Sequence, residues 1–327
     1  MRCMMRYGAL AIALSLLAPG ARAEPLAVEL EDAADHHVSG QGSYRGGLRN
    51  SWEYKMGSQR SAPNITGVTA DGLLAAYQLT KLEEHQNAAL RAARSLIRAY
   101  DGAWKTRRPY TQDVEFLAAA GFIIDAGRWF QVTRDRYTPA GYADFVSDGR
   151  KAGGTPELAG WDLASAIRAA IAVGQLAYAR GLVAELVARR HAWDRAGGGQ
   201  LLARGSVLWA LASARDRVGL TPEQRQLAES LVRDMVAAQR ANGAYLAGGE
   251  LCTQTVAYAV LGLTRWPGGR AAAAKGRAWL RRVAHTDQRF FAGGRIWATT
   301  YRIDGRPEND YNSEVQSEAM LALASGR

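Results

Sequence analysis

The 327-residue chain is poor in the residues that usually mark a small secreted fold or a metal protein: it has two cysteines, five histidines and nine prolines. It also has no apolar run long enough for a comfortable membrane span. With 48% hydrophobic and 22% charged residues, the composition excludes disorder, a collagen-like repeat and a multi-pass membrane protein. Residues 1–23 read as a secretory signal peptide: Arg2 and Arg6 precede the apolar stretch Ala9 to Ala18, and Ala21-Arg22-Ala23 forms a small-x-small cleavage site. Its removal takes Cys3 away, so no disulfide is possible and the core alone must hold the fold, which roughly 300 residues can do. Cys252 has no His or second Cys near it in sequence and reads as a small buried apolar residue. The expected compartment is the periplasm or the exterior.

What is abundant is a repeat. Six segments, starting at Asn64, Thr111, Gly160, Gly205, Leu251 and Asn312, begin with polar or capping residues and continue in Ala, Leu, Val and Ile around most of the helical circumference. These are the expected inner helices. Between them lie stretches with one apolar stripe, such as Glu83 to Tyr100, Pro139 to Ala152, Gln175 to His191, Thr221 to Arg240 and Gly269 to His285. Thr221, Pro222 and Gln224 supply an N-cap, a first-turn proline and a capping-box partner. Alternating enclosed and amphipathic helices describe helical hairpins in a closed ring, because the last segment is as apolar as the middle ones and can pack against the first. The domain layout is then 1–23 signal, 24–63 an N-terminal extension packing on the rim, and 64–327 the ring.

Gln239-Arg-Ala-Asn-Gly-Ala-Tyr245, followed by Thr253-Gln-Thr-Val-Ala-Tyr-Ala-Val-Leu-Gly-Leu263, resembles the repeat of prenyltransferases and squalene cyclases. Asn64-Ile-Thr-Gly-Val, with Gly72-Leu-Leu-Ala-Ala-Tyr77, resembles opening helices of toroid enzymes acting on glycans. The chain thus resembles the α/α toroid superfamily, an all-α class that includes terpenoid cyclases, protein prenyltransferases, polysaccharide lyases and six-hairpin glycosidases. The resemblance implies that the starts of the inner helices converge on one end of the barrel and line a cavity there. An Asp-x-Asp-Asp acid motif is missing, and Glu250-Leu-Cys252 has no His after His285 to complete a prenyltransferase zinc site, so isoprenoid chemistry is set aside.

The helix starts and the loops before them carry carboxylates, amides and aromatic rings, the usual furniture of a sugar site. Capping alone explains Asp, Asn, Ser or Thr at any one of these positions; Glu115 a turn inside its helix, the large ring of Trp161, and Gln316 and Glu318 inside an enclosed helix are not explained that way. The expected function is an inverting glycoside hydrolase, whose two carboxyl groups flank the scissile bond. Asp113 and Asp162 are the expected pair, with Glu314 and Glu250 as substitutes. Trp52, Trp161 and Trp297 are expected to stack on sugar rings; Asn64, Gln112 and Asn312 to bind hydroxyls; Tyr54, Glu115, Tyr301 and Tyr311 to complete the site.

No cofactor or metal is expected for hydrolysis. The alternative is a polysaccharide lyase acting on a uronic-acid polymer by β-elimination, with Tyr54, Arg60, Tyr301 and Arg302 as base and cations, or with Ca²⁺ held by Asp113, Glu115 and Asp162. A third reading is a toroid that binds glycan without turnover. The formal charge is +10, and removal of Arg2, Arg6 and Arg22 leaves 38 basic against 31 acidic residues, or +7. Arg91, Arg94, Arg98, Arg189, Arg190, Arg277, Arg281 and Arg282 all fall on outer helices, so this charge is expected on the exterior and does not argue for nucleic acid. The expected partner is a glycan.

Overall fold

A computed structural model describes residues 25–105, 107, 109–148, 158–195, 197, 199–286, 294–308 and 310–326. The expected signal peptide with its cleavage site, the residue Arg108, and residues 149–152 at the end of the expected outer helix Pro139 to Ala152 lie outside them. Among the described residues the chain is almost wholly helical: α1 (Pro25–Ser39), α2 (Ile65–Thr80), α3 (Glu83–Asp101), α4 (Thr111–Ala119), α5 (Ile123–Arg136), α6 (Pro139–Ser147), α7 (Ala159–Ala172), α8 (Leu176–Ala188), α9 (Arg190–Trp193), α10 (Gln200–Arg217), α11 (Pro222–Ala238), α12 (Thr253–Leu263), α13 (Arg270–Val283) and α14 (Ser313–Ala324). Short strands β1 (Leu246–Ala247), β2 (Glu250–Cys252) and β5 (Thr300–Tyr301) pair antiparallel in that order, and β3 (His285–Thr286) pairs with β4 (Arg295–Ile296).

The expected ring closes. Helices α2, α4, α7, α10, α12 and α14 each pack against the next, and α14 returns to α2. At that seam Ser317 Oγ donates to the Val68 carbonyl at 2.5 Å and accepts from Gly72 N–H at 2.9 Å. A Cβ on Gly72 would stand 2.4 Å from Ser317 Oγ and 2.7 Å from its Cα, so glycine is what lets the first and last inner helices meet. The fold is an α/α toroid. Outside the ring, α3, α5, α8, α11 and α13 cover α2, α4, α7, α10 and α12 respectively. Each presents alanines and large apolar side chains inward: Ala88, Ala92, Leu96 and Tyr100 on α3 are buried. Thr221 and Gln224 form the expected capping box, and Pro222 stands in the first turn of α11.

Two expectations are corrected here. The segment from Thr111 to Gly127 is not one inner helix: α4 stops at Ala119, the chain turns at Gly121 with φ of 90°, and Ile123 already begins the outer helix α5. Its unbroken apolar run hid the turn. Cys252, expected to be buried, is half-buried on β2.

Within 24–63, α1 packs against α2, α14 and α3, on the outer side of the seam. His85 of α3 holds Asp35 of α1 at 2.9 Å. Residues 40–63 follow as an irregular strap whose middle crosses the start of α14, through Met56 N–H to the Tyr311 carbonyl, Ser313 N–H to the Tyr54 carbonyl, and a Lys55–Asp310 ion pair at 3.0 Å. The outer-helix arginines are exposed or half-buried, and several are matched locally, as with Arg281 and Glu29 at 2.7 Å. No helix among the described residues is long and apolar enough to cross a membrane.

Candidate functional site

Every inner helix sends a polar or aromatic side chain to one place near the middle of the ring. Asp71 comes from α2, Gln112 and Glu115 from α4, Arg168 from α7, Trp209 from α10, Tyr258 from α12 and Glu318 from α14. They enclose about 20 Å³, the room of about one water molecule.

Arg168 is the hub of this cluster. Its side chain is 5% exposed; Nε and Nη2 donate to Glu115 Oε1 and Oε2 at 2.7 and 3.2 Å, and Nη1 donates to Ser206 Oγ at 3.1 Å. Its guanidinium lies over the Trp209 ring at 4.0 Å, and Arg265 approaches the same ring at 5.1 Å. A planar, always-charged guanidinium suits a site that asks for a two-pronged ion pair and a stacked face at once. The neighbouring carboxyls are held back from ionising. Burial, with the charge of Glu115, raises Asp71 to about 7 against the opposing pull of Arg168. Burial also raises Glu115, against the charge and hydrogen bonds of the paired Arg168 and a hydrogen bond from Ser165.

Glu318 is the most strongly affected. It is 1% exposed, and burial first and the charge of Glu314 second push its carboxyl well above the usual range. Gln254 Nε2 donates to its Oε1 at 3.1 Å. Glu314, one turn nearer the start of α14, is half-buried and also raises Tyr54 and Tyr258 through its charge. Tyr54 is 47% exposed on the strap that crosses this helix start. Trp161 meets Tyr258 edge-on at 6.1 Å. Glu314, Tyr54, Gln112, Gln254 and Trp161 thus belong to the layer of helix starts, and Glu318, Asp71 and Arg168 lie a turn or two deeper.

The remaining expected site residues fall in several places. Asp113 and Asp162 are both buried, at 0% and 2% exposure, and neither lines the central cavity. Asp113 faces the wall: Tyr100 of α3 donates to its Oδ2 at 2.7 Å, and a Cβ on Gly67 would fall 2.2 Å from its Oδ1. Burial raises Asp113 to about 7 against those contacts. Glu250 is exposed on β2. Asn312 caps α14 by accepting from Glu314 N–H at 2.8 Å, whereas Asn64 precedes α2 without a side-chain capping bond. Asp113, Glu115 and Asp162 do not form part of any metal-holding group among the described residues.

The stacking roles expected of Trp52 and Trp297 do not fit their positions. Both rings are buried, at 2% and 1% exposure, and their Nε1 groups donate to the His37 and Leu280 carbonyls at 2.7 and 2.8 Å. Tyr301 is likewise structural, its hydroxyl accepting from Ala298 N–H and donating to the Val283 carbonyl, both at 3.0 Å. The Tyr311 hydroxyl meets His285 Nε2 at 3.1 Å. Asp71 was missed by sequence reasoning, although a carboxylate in the middle of an Ala- and Leu-rich helix is the same signal that singled out Gln316 and Glu318. Gln316 proves to be a brace, bonding the Trp297 N–H and carbonyl at 2.7 and 2.6 Å.

No protein-family model matches the chain, and no curated protein matches it. Solved structures do. Cellobiose 2-epimerase from Bacillus thermoamylovorans B4167 aligns over 91% of this chain and 98% of its own at a TM-score of 0.63 and 11% identity. The GH76A alpha-1,6-mannanase from Salegentibacter sp. HEL1_6 aligns over 92% and 98% at 0.60 and 10% identity. An unsaturated glucuronyl hydrolase from Streptococcus agalactiae aligns over 93% and 90% at 0.59 and 11% identity. At such identities the likeness is one of fold, and it places the chain among the α/α toroids across nearly its whole length.

Proposed function

We propose that the protein is an exported carbohydrate-active enzyme, an inverting glycoside hydrolase whose acid is Glu318 and whose base is Glu314. Export rests on the character of residues 1–23, and the carbohydrate class is supported by the three fold neighbours above, each named for work on a saccharide. The observation that carries the assignment is a pair of carboxyls one helical turn apart, Glu318 buried and Glu314 half-buried. Burial and the charge of Glu314 push the Glu318 carboxyl well above the usual carboxylate range, the direction an acid needs, while Glu314 is only half-buried. In this scheme Glu318 gives its proton to the leaving glycosidic oxygen. Glu314 takes a proton from a water whose oxygen bonds to the anomeric carbon as the old bond breaks. Tyr54 and Trp161 supply ring surface at the helix-start layer, and Gln112 and Gln254 supply amides.

The narrowness of the ring favours one second reading, a toroid that binds glycan without cleaving it, since an interior of about 20 Å³ leaves only the rim for a sugar. Reducing-end release separates the two. The wild-type chain should shorten a glycan, and Glu318→Gln and Glu314→Gln should each stop it without unfolding the ring; binding with unchanged glycan length would leave the second reading standing.

A further inference from the structure

The rim that bears the helix starts has a second cavity, outside the ring. It is a groove of about 490 Å³ between the end of α13, the turn at Asn242 and the loop after β5, and Leu251, Trp279 and Tyr301 are the buried residues among its lining. Ile303, 58% exposed, and the half-buried Val283 give it apolar surface. At Asn242 it adjoins a shallower depression of about 360 Å³ bounded by Arg240 and Ala241. Arg282 is fixed there by donating from Nη2 to the Asn242 carbonyl at 3.1 Å.

Arg240 and Arg282 are both exposed, and neither has an acidic partner among the described residues, unlike Arg281, Arg302 and Arg306 nearby, which hold Glu29, Glu308 and Asp304. Asp304 also lines the groove, but its carboxylate is shared with Arg306 at 3.5 Å. The groove and the depression that adjoins it thus bring two guanidinium groups, neither with an acidic partner among the described residues, to an amide and an apolar wall. Guanidinium forks bind carboxylates in a two-pronged geometry, and the groove has the volume of an ordinary ligand site.

We propose that this groove binds an acidic oligosaccharide, with uronate carboxylates on Arg240 and Arg282 and the carbon-hydrogen face of a sugar ring on Ile303 and Val283. The preference for a sugar over an acidic peptide rests on the carbohydrate reading above. Leu251 in the groove and Gln254 beside Glu318 are three residues apart, on one continuous piece of β2 and α12. A chain held in the groove would thus approach the mouth along the same rim.

The test is calorimetric binding of a galacturonic acid hexamer, its carboxyl-reduced neutral counterpart and a glutamate hexapeptide to the wild-type protein and to an Arg240→Ala/Arg282→Ala variant. The acidic hexamer should bind the wild type at least 10-fold more tightly than either comparison ligand. The variant, altered only at exposed positions, should keep its melting temperature and lose at least 10-fold in affinity for that hexamer alone. Equal binding of the neutral hexamer, equal or tighter binding of the peptide, no binding of the acidic hexamer, or an unaffected variant would each overturn the proposal. Binding with this pattern but no cleavage of any glycan would overturn the hydrolase reading and leave the groove assignment intact.

Discussion

Arg168 and Glu115 meet at 2.7 Å inside the ring, one from α7 and one from α4, with side chains only 5% and 18% exposed. The pair cross-links two neighbouring inner helices and fixes a positive charge that acts on both Asp71 and Glu318. Removing one member strands the other away from water. Arg168→Met is therefore expected to cost about 3–5 kcal/mol of stability, read as a lower urea midpoint at unchanged slope, while Arg168→Met combined with Glu115→Leu should recover most of the loss.

Glu318→Gln tests the acid. An amide matches the carboxyl in size, brings no charge into the buried site, and its oxygen can still accept from Gln254, so the melting temperature should stay within a few degrees. Glycan cleavage should fall about 10²- to 10⁴-fold. A variant that folds and cleaves normally would remove Glu318 from the mechanism.

The seam between α14 and α2 makes a prediction about stability alone. Gly72→Ala inserts a methyl group 2.4 Å from Ser317 Oγ and 2.7 Å from Ser317 Cα. It should cost about 1–3 kcal/mol, measured by denaturant unfolding, whereas Gly127→Ala on α5, where the added carbon meets nothing within 4 Å, should be neutral or slightly stabilising.

Asp113 gives a pH dependence whose sign is fixed by its environment. Burial raises its carboxyl from 3.8 to about 7 in the folded chain. The folded state then holds a proton that the unfolded state releases between these values, so this group's contribution to stability is greatest below about pH 4 and is lost as pH rises through about 7. Asp113→Asn should flatten that decline in a series of melting curves from pH 4 to 8. If the variant declined as steeply as the wild type, Asp113 would not be the group responsible.

The ring itself was legible in the sequence because enclosure leaves a mark: segments such as Gly205 to Arg217 and Leu251 to Trp266 are apolar around most of their circumference, and only a helix surrounded by helices can be so. The turn at Gly121 was not, since α4 and the start of α5 form one apolar run and the exposed Ile124 looks like core until the backbone is seen to reverse. The site was partly legible. Glu115 and Glu318 stood out as carboxylates inside enclosed helices, and Asp71 carried the same mark unnoticed. Trp52 and Trp297 misled because a loop tryptophan that stacks on a ligand and one that folds inward to bond a carbonyl have the same sequence signature; only burial distinguishes them.

The central claim is cleavage of a glycan by a carboxylate pair. The most direct measurement incubates the protein with neutral, cationic and uronic polysaccharides and follows reducing ends and absorbance near 235 nm together. New reducing ends without ultraviolet absorbance, abolished by Glu318→Gln, is the predicted result. Absorbance rising in step with reducing ends would make the reaction an elimination, and silence in both signals across the panel would contradict catalysis altogether.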